Sequence, residues 1–317
     1  MRTLELLNPR LRPGVLVERQ GADIRIVWSE GCLVLTQTPP AAGAMSVPHF
    51  ADDLPPALSE IVPLLYFQGL LLDANRPHGP DAWHGVNLLG PILERIRNTA
   101  VTAFPDGGIL DQMISGRAPK STVVAWLHSM FHFTDSADKH IGPLLGGGDV
   151  VETELWRHFH ADEVKHWRIY RRIFAEVGTT IPDARRSPPP PALTAFVDWL
   201  EHLARNAPAA YAGSLLFIEQ PPTAQEMLDD PLYGALHEHY GFSIPALQPL
   251  WLHAVANGTF GHDTLGLLIL ARRGLFSRVE IEELLANVAR TVEALGAVYD
   301  EIGKLHRYNS ERSAVAR

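Results

Sequence analysis

His160-Ala161-Asp162-Glu163-Val164-Lys165-His166 lies inside a longer run, Val150 to Val177, and the reading of this stretch decides the rest of the chain. The run is predicted to be one helix over 149–177. A period of 3.6 residues then stacks residues three and four apart, so His160, Glu163 and His166 fall close to one line. Glu-x-x-His on one helix face offers an oxygen and a nitrogen ligand side by side. The same four-residue pattern also arises by chance on solvated helix faces, so its meaning depends on partners elsewhere in the sequence.

Two other stretches supply candidate partners. Tyr211 to Ile218 is an almost wholly apolar helix that ends in Glu219, just before Pro221-Pro222. A carboxylate there either meets solvent at a helix end or faces the interior, where it is costly unless paired or metal-bound. Trp251 to Asn257 places His253 and Asn257 four residues apart on one face of another apolar helix, with His262 five residues further on. The order along the chain is Glu-x-x-His, Glu, His-x-x-x-Asn.

This order, with 56 residues from Glu163 to Glu219 and 34 from Glu219 to His253, resembles the haem-oxygenase-like di-iron oxidases and oxygenases. The likeness covers about residues 95–310 and includes Trp126 through His140-Ile141-Gly142-Pro143 to Gly178. Pyrroloquinoline quinone synthase, which needs no cofactor, and thiaminase-like proteins are related seven-helix bundles. The resemblance implies Glu163, His166, Glu219 and His253 as metal ligands. It also implies an aspartate where this chain has Asn257, a histidine three or four residues beyond it where this chain has Phe260 and Gly261, and a glutamate near residue 129, where this chain has His128, Ser129 and His132. Glu94 lies too far upstream to substitute. Three outcomes stay open: two irons, with His132 or His128 and His262 standing in; one metal on Glu163, His166, Glu219 and His253; or none, with the histidines acting as acid-base groups. Asn257 is a poorer ligand for a hard ion than a carboxylate.

Outward from this centre, the chain from Pro91 reads as helical throughout, with helices expected at 91–103, 121–138, 149–177, 192–205, 208–220, 223–240, 245–257, 262–273 and 278–307, and with no strand. Pro182 to Pro191 is expected to be an extended connector, and Ser277 with Glu280 a capping box opening the last helix. Trp156, Phe159, Trp167, Tyr170 and Phe174 read as core, and His237 and His239 as solvated. Ahead of this bundle, Val15 to Val17, Ile24 to Trp28 and Cys32 to Thr36 are short β-branched and apolar runs that predict a three-stranded meander. Pro39 to Phe50 reads as a loop, and Leu58, Ile61, Val62 and Leu65 as a helix ended by Gly69. The domains expected are therefore 1–78, small and α+β, and 91–310, all-α, giving a mainly α protein. Residues 10–75 resemble the winged-helix peptide-binding domain of enzymes that modify ribosomally made peptides, which implies a leader peptide added as a strand at the sheet edge. An accessory domain that binds nothing is the alternative.

The 317 residues are 46% hydrophobic and 20% charged with a formal net charge of −9, as in soluble globular proteins, and without a basic run that would favour nucleic acid or an anionic membrane. A single cysteine, Cys32, excludes an internal disulfide and a thiolate metal site. Without a signal-peptide pattern or a long apolar run, a cytoplasmic protein is expected. No nucleophile motif supports hydrolase chemistry. The expected function is a metal-dependent oxidase or oxygenase, with one or two irons, that uses dioxygen on an amino-acid-like or peptide substrate. The rivals are a non-catalytic peptide-binding scaffold and a cofactor-independent oxidase. Assembly into a homodimer stays open.

Overall fold

The structure, a computed structural model, describes residues 9–12, 15–20, 23–28, 31–35 and 62–315. They divide into two compact units, Met1–Arg97 with Leu267–Leu285, and Asn98–Gly266 with Ala286–Arg317. Among the described residues, no helix is long and apolar enough to cross a membrane.

In the first unit, β1 (Pro9–Leu11) is followed by β2 (Leu16–Gln20), β3 (Asp23–Trp28) and β4 (Gly31–Leu35). The last three pair antiparallel in the order β2-β3-β4, which is the expected meander. Its alternation has a physical basis: Val17, Ile24 and Ile26 are buried on one face. Thr36, the Pro39 to Phe50 loop, Leu58 and Ile61 lie outside the described residues. Helix α1 (Val62–Phe67) ends as predicted, with Gly69 at φ 73°. The sequence did not reveal β5 (Leu71–Asp73), which pairs with β1 across a long stretch of chain. Buried Asn87 supports it: its side chain accepts from the Asp73 N–H (2.7 Å) and donates to the Asp73 carbonyl (3.1 Å).

The expectation of no strand after Pro91 is corrected by β7 (Leu275–Ser277), which pairs antiparallel with β6 (Ala82–His84). A three-residue strand whose partner lies so far away in sequence leaves no local periodicity to read. Gly85 follows β6 because a Cβ there would come within 1.9 Å of the Leu270 carbonyl oxygen.

The second unit is helical. Helix α2 (Leu89–Ala103) leads into it, followed by α3 (Ile109–Ile114), α4 (Lys120–Asp135) and α5 (Ala137–Ile141). Next come α6 (Val150–Glu163), α7 (Arg171–Glu176), α8 (Ile181–Arg186), α9 (Pro191–Asn206) and α10 (Pro208–Ile218). The unit continues with α11 (Pro231–Glu238), α12 (Ile244–Phe260), the start of α13 (His262–Arg273) and most of α14 (Arg278–Val315). Ser277 and Glu280 do form the expected capping box, the Glu280 carboxylate accepting from the Ser277 N–H at 2.8 Å.

Three expectations are corrected. The single helix over 149–177 is broken after Glu163, and a 3-10 turn over His166–Tyr170 separates α6 from α7. The 182–191 connector is helical at its start, because Thr180 and Asp183 cap α8 reciprocally; the extended part is only the segment before Pro191. The helix expected over 223–240 begins at Pro231, where the Asp230 side chain caps it.

Candidate metal centre

Glu163 is placed by α6. Asp149 opens that helix by accepting from the N–H groups of Val151 and Glu152 at 2.8 and 2.9 Å. Trp156, Phe159 and Glu163 then recur at helical spacing and are all buried. The helix ends at Glu163, yet the pairing expected from Glu-x-x-His survives the break: His166 Nδ1 lies 2.8 Å from Glu163 Oε2. His160 turns to the surface instead, its Nε2 2.8 Å from Asp138 Oδ1.

Glu219 is the residue that caps the C-terminus of α10 and is 7% exposed, so the interior alternative is the one realised. Helix α12 carries His253 and Asn257. It stops at Gly261, whose φ of 76° is the left-handed conformation suited to glycine, and α13 begins at once with His262. That corner explains how His262, one step later than the resemblance implies, still reaches the centre: beyond Gly261 the spacing of α12 no longer sets direction. The first turn of α13 is held close to α10 by Gly266, where a Cβ would lie 1.9 Å from the Ala212 carbonyl oxygen.

Two groups of donors result. Glu163, His166 and His253 each offer one ligand atom within 4.8 Å of the others, and so do Glu163, Glu219 and His262. Glu163 belongs to both. The rings of His166 and His253 meet edge to face at 4.3 Å. His262 packs edge-on against Phe159 at 5.0 Å, with Nδ1 3.3 Å from Glu163 Oε1 and Nε2 3.4 Å from Asp162 Oδ2. The His262–Glu163 pair is at ion-pair distance without a well-aligned hydrogen bond, and Oε1 of Glu163 has no hydrogen-bond partner. Nδ1 of His253 and Oδ1 of Asn257 are likewise buried without one. Buried lone pairs left in this state cost free energy unless something accepts them, and oxygen and imidazole donors suit a divalent transition metal.

The charges are unequal. Burial works to raise the Glu163 pKa, but the hydrogen bond with His166 and the closeness of His262 and His253 outweigh it and hold the carboxyl below its usual range. Burial, reinforced by the charge of Glu163, holds Glu219 well above the usual carboxylate range. His253 is pushed down to about 4 by burial, against the pull of Glu163. Burial also works to lower His262, yet the carboxylates of Glu163 and Asp162 at 3.3 and 3.4 Å leave it raised. The two carboxyls of the centre are thus pushed in opposite directions, Glu163 down and Glu219 up.

Of the residues predicted for the site, Glu163, His166, Glu219, His253 and His262 come together, while Asn257 sits buried one turn beyond His253. His132 belongs to neither group. It lines a cleft of about 230 Å³ with Asp135, Lys139 and Leu193. His128 stacks on Phe174 at 4.8 Å. At the position where the resemblance implies a glutamate, the Ser129 hydroxyl donates to the Ala125 carbonyl of its own helix. Glu94 pairs with Arg12 at 2.9 Å. Trp156, Phe159, Tyr170 and Phe174 are core as expected, whereas Trp167 is half-buried beneath the Arg185 guanidinium at 4.3 Å. His239 is exposed, and half-buried His237 bonds the Phe242 carbonyl. Sequence reasoning missed Asp162, whose only signal was its place beside Glu163.

No protein-family profile matches the sequence, and no curated protein is matched. Among solved structures, a domain of unknown function with a haem oxygenase-like fold from Shewanella denitrificans is similar over 70% of this chain and 94% of its own, with a TM-score of 0.59 and 13% identity. A TenA homologue from Pseudomonas syringae is similar over 68% of this chain and 92% of its own, with a TM-score of 0.54 and 10% identity. The helical part of the chain thus has a haem-oxygenase-like fold, preceded by a small α+β region.

Proposed function

We propose that the helical unit is a metal-dependent oxidoreductase that uses dioxygen on an amino-acid-like substrate or a peptide side chain. The observation that carries this reading is the pair of donor groups sharing Glu163, with buried lone pairs on Glu163, His253 and Asn257 left without partners. Glu163, His166 and His253 would hold one ion. Two imidazoles and one carboxylate are the donor set of non-haem iron(II) oxygenases. Glu163, Glu219 and His262 would hold a second, in a more oxygen-rich setting. Iron(II) held there would supply the electrons that activate dioxygen.

The protein's own groups do the rest. Hydrogen bonding from His166 keeps Oε2 of Glu163 oriented and ionised; Asp162 fixes the His262 ring through Nε2; Phe159 and Trp156 keep water from this wall of the site. Iron(II) titrated anaerobically, with metal counted per chain, tests the reading. Uptake of one or two irons, lost in a Glu163→Ala/His166→Ala double variant, is expected. No uptake by the wild type, or uptake unchanged in the double variant, overturns it. Ser129 and Asn257, which stand where carboxylates are implied, favour the second reading, a non-catalytic peptide-binding scaffold, and that same null result would select it.

For the N-terminal region, the peptide-recognition reading would place an added strand along β4, the edge of the three-stranded meander, where Val34 is 48% exposed. A Val34→Pro variant would then lose binding of a substrate peptide and keep its iron stoichiometry, because proline removes a ladder donor from an edge strand.

A further inference from the structure

Beside the donor groups lies a pair of side chains that the proposed chemistry has not used. Tyr211, in the middle of α10, is 1% exposed, and its hydroxyl lies 2.8 Å from Nδ1 of His140, to which it donates when the ring carries its proton on Nε2; His140 itself is 5% exposed. Phe133 lies parallel to the imidazole at 5.3 Å, and Trp156 stands edge-on to the phenol at 5.7 Å. Burial pushes the His140 pKa down to about 4, so the ring is neutral and one nitrogen is free to accept. The hydroxyls of Tyr66, Tyr233 and Tyr240 donate to backbone carbonyls of Val86, Leu250 and Met113, which cannot take up a proton. Tyr211 instead faces a base.

The pair is also electrically joined to the centre. Both Glu219 and Glu163 act on Tyr211, and Glu163 acts on His140 in the direction that favours an imidazolium. Tyr211 precedes Glu219 by eight residues on one stretch of chain, about 12 Å of helix rise. A phenol in a dry site cannot ionise, and burial drives its pKa well up. What it can do is lose an electron together with its proton.

We infer that Tyr211 and His140 form a proton-coupled one-electron donor to the centre. This rests on the proposed metal site. The electron acceptor would be iron held at that site and oxidised by dioxygen, and this iron would take up one electron. Tyr211 is oxidised by one electron to a neutral phenoxyl; its O–H bond breaks, and an N–H bond forms at Nδ1 of His140. No other atom moves, and the charge left on His140 faces the field of Glu163. His140 is here a positioning and proton-accepting residue, and Tyr211 the redox residue.

The test loads the full-length protein with iron(II) anaerobically, counts the metal, admits dioxygen and records electron paramagnetic resonance spectra of frozen samples. A tyrosyl signal, altered by ring-deuterated tyrosine, is expected in the wild type and lost in Tyr211→Phe. It is also lost in His140→Gln, which keeps a hydrogen-bonding side chain but cannot hold the proton; a merely structural His140 would be rescued by glutamine. Circular dichroism and metal count verify that each variant folds and loads. Iron uptake without a tyrosyl signal, or a signal that persists in Tyr211→Phe, overturns the inference and leaves the centre intact. Absence of iron uptake overturns the functional reading instead. The metal-free protein oxidised photochemically by ruthenium(III) tris-bipyridine then decides for the pair alone: a tyrosyl signal that depends on Tyr211 and His140 upholds it, and one that ignores them refutes it.

Discussion

Glu163 is common to both donor groups, and this makes the residues of the centre unequal. Glu163→Gln is expected to abolish binding of both ions, whereas His253→Ala should leave the Glu163, Glu219 and His262 group able to take one; manganese(II) stoichiometry by electron paramagnetic resonance distinguishes the two outcomes. A second residue-scale consequence concerns acid. His140 is neutral in the folded protein down to about pH 4, while an unfolded histidine protonates near its ordinary value. Above that value both states are neutral and the residue contributes nothing to pH dependence. Below it the unfolded state gains a proton that the folded state refuses, so stability falls as pH falls, by about 2 kcal/mol at pH 5. Urea unfolding of metal-free protein at pH 7 and pH 5 should show this loss, and His140→Gln should show less of it by about that amount.

Among the elements, α10 and α13 approach closely at Gly266. Gly266→Ala should destabilise by about 1–3 kcal/mol because its methyl group overlaps the Ala212 carbonyl oxygen, and it should weaken metal binding by displacing His262. Gly303→Ala in α14 is the control: its nearest neighbour, Ile109 Cβ, is 3.7 Å away, so the better helix former should be neutral or stabilise by about 0.5–1 kcal/mol. Thermal and denaturant unfolding of both variants would settle the comparison. The break after Glu163 shows where reading from sequence stops. No glycine or proline marks it, so helical periodicity ran on through Val164 and Lys165; the Glu163–His166 contact was nevertheless legible, because residues three apart meet in an α-helix and across this break alike. His132 lies outside both donor groups for a different reason. Spacing shows that it shares a face with His128, but not which helix that face meets.

At the scale of the whole molecule, the helical fold was legible because long apolar periodic segments leave few other solutions, and Glu163, Glu219 and His253 could be picked out because each interrupts or ends such a segment. The pairings of β1 with β5 and β6 with β7 were not, since each joins short segments far apart in sequence. Occupancy of the centre should stabilise the entire fold, as any ligand bound only by the folded state does. Manganese(II) or anaerobic iron(II) should raise Tm in the wild type in a concentration-dependent way and leave the Glu163→Ala/His166→Ala variant unmoved.

The corner at Gly261 has a bearing on the order of events during folding. Glu163 and His166 are neighbours once the turn that follows α6 forms, but His262 lies 99 residues beyond Glu163 and joins them only once the chain has turned through a single left-handed residue. Closing so long a loop costs entropy before any contact across it is gained. The nascent chain thus carries half of the donor set for most of its assembly, and capture of an ion by the proposed centre would belong to the end of folding, as a seal on a bundle already closed.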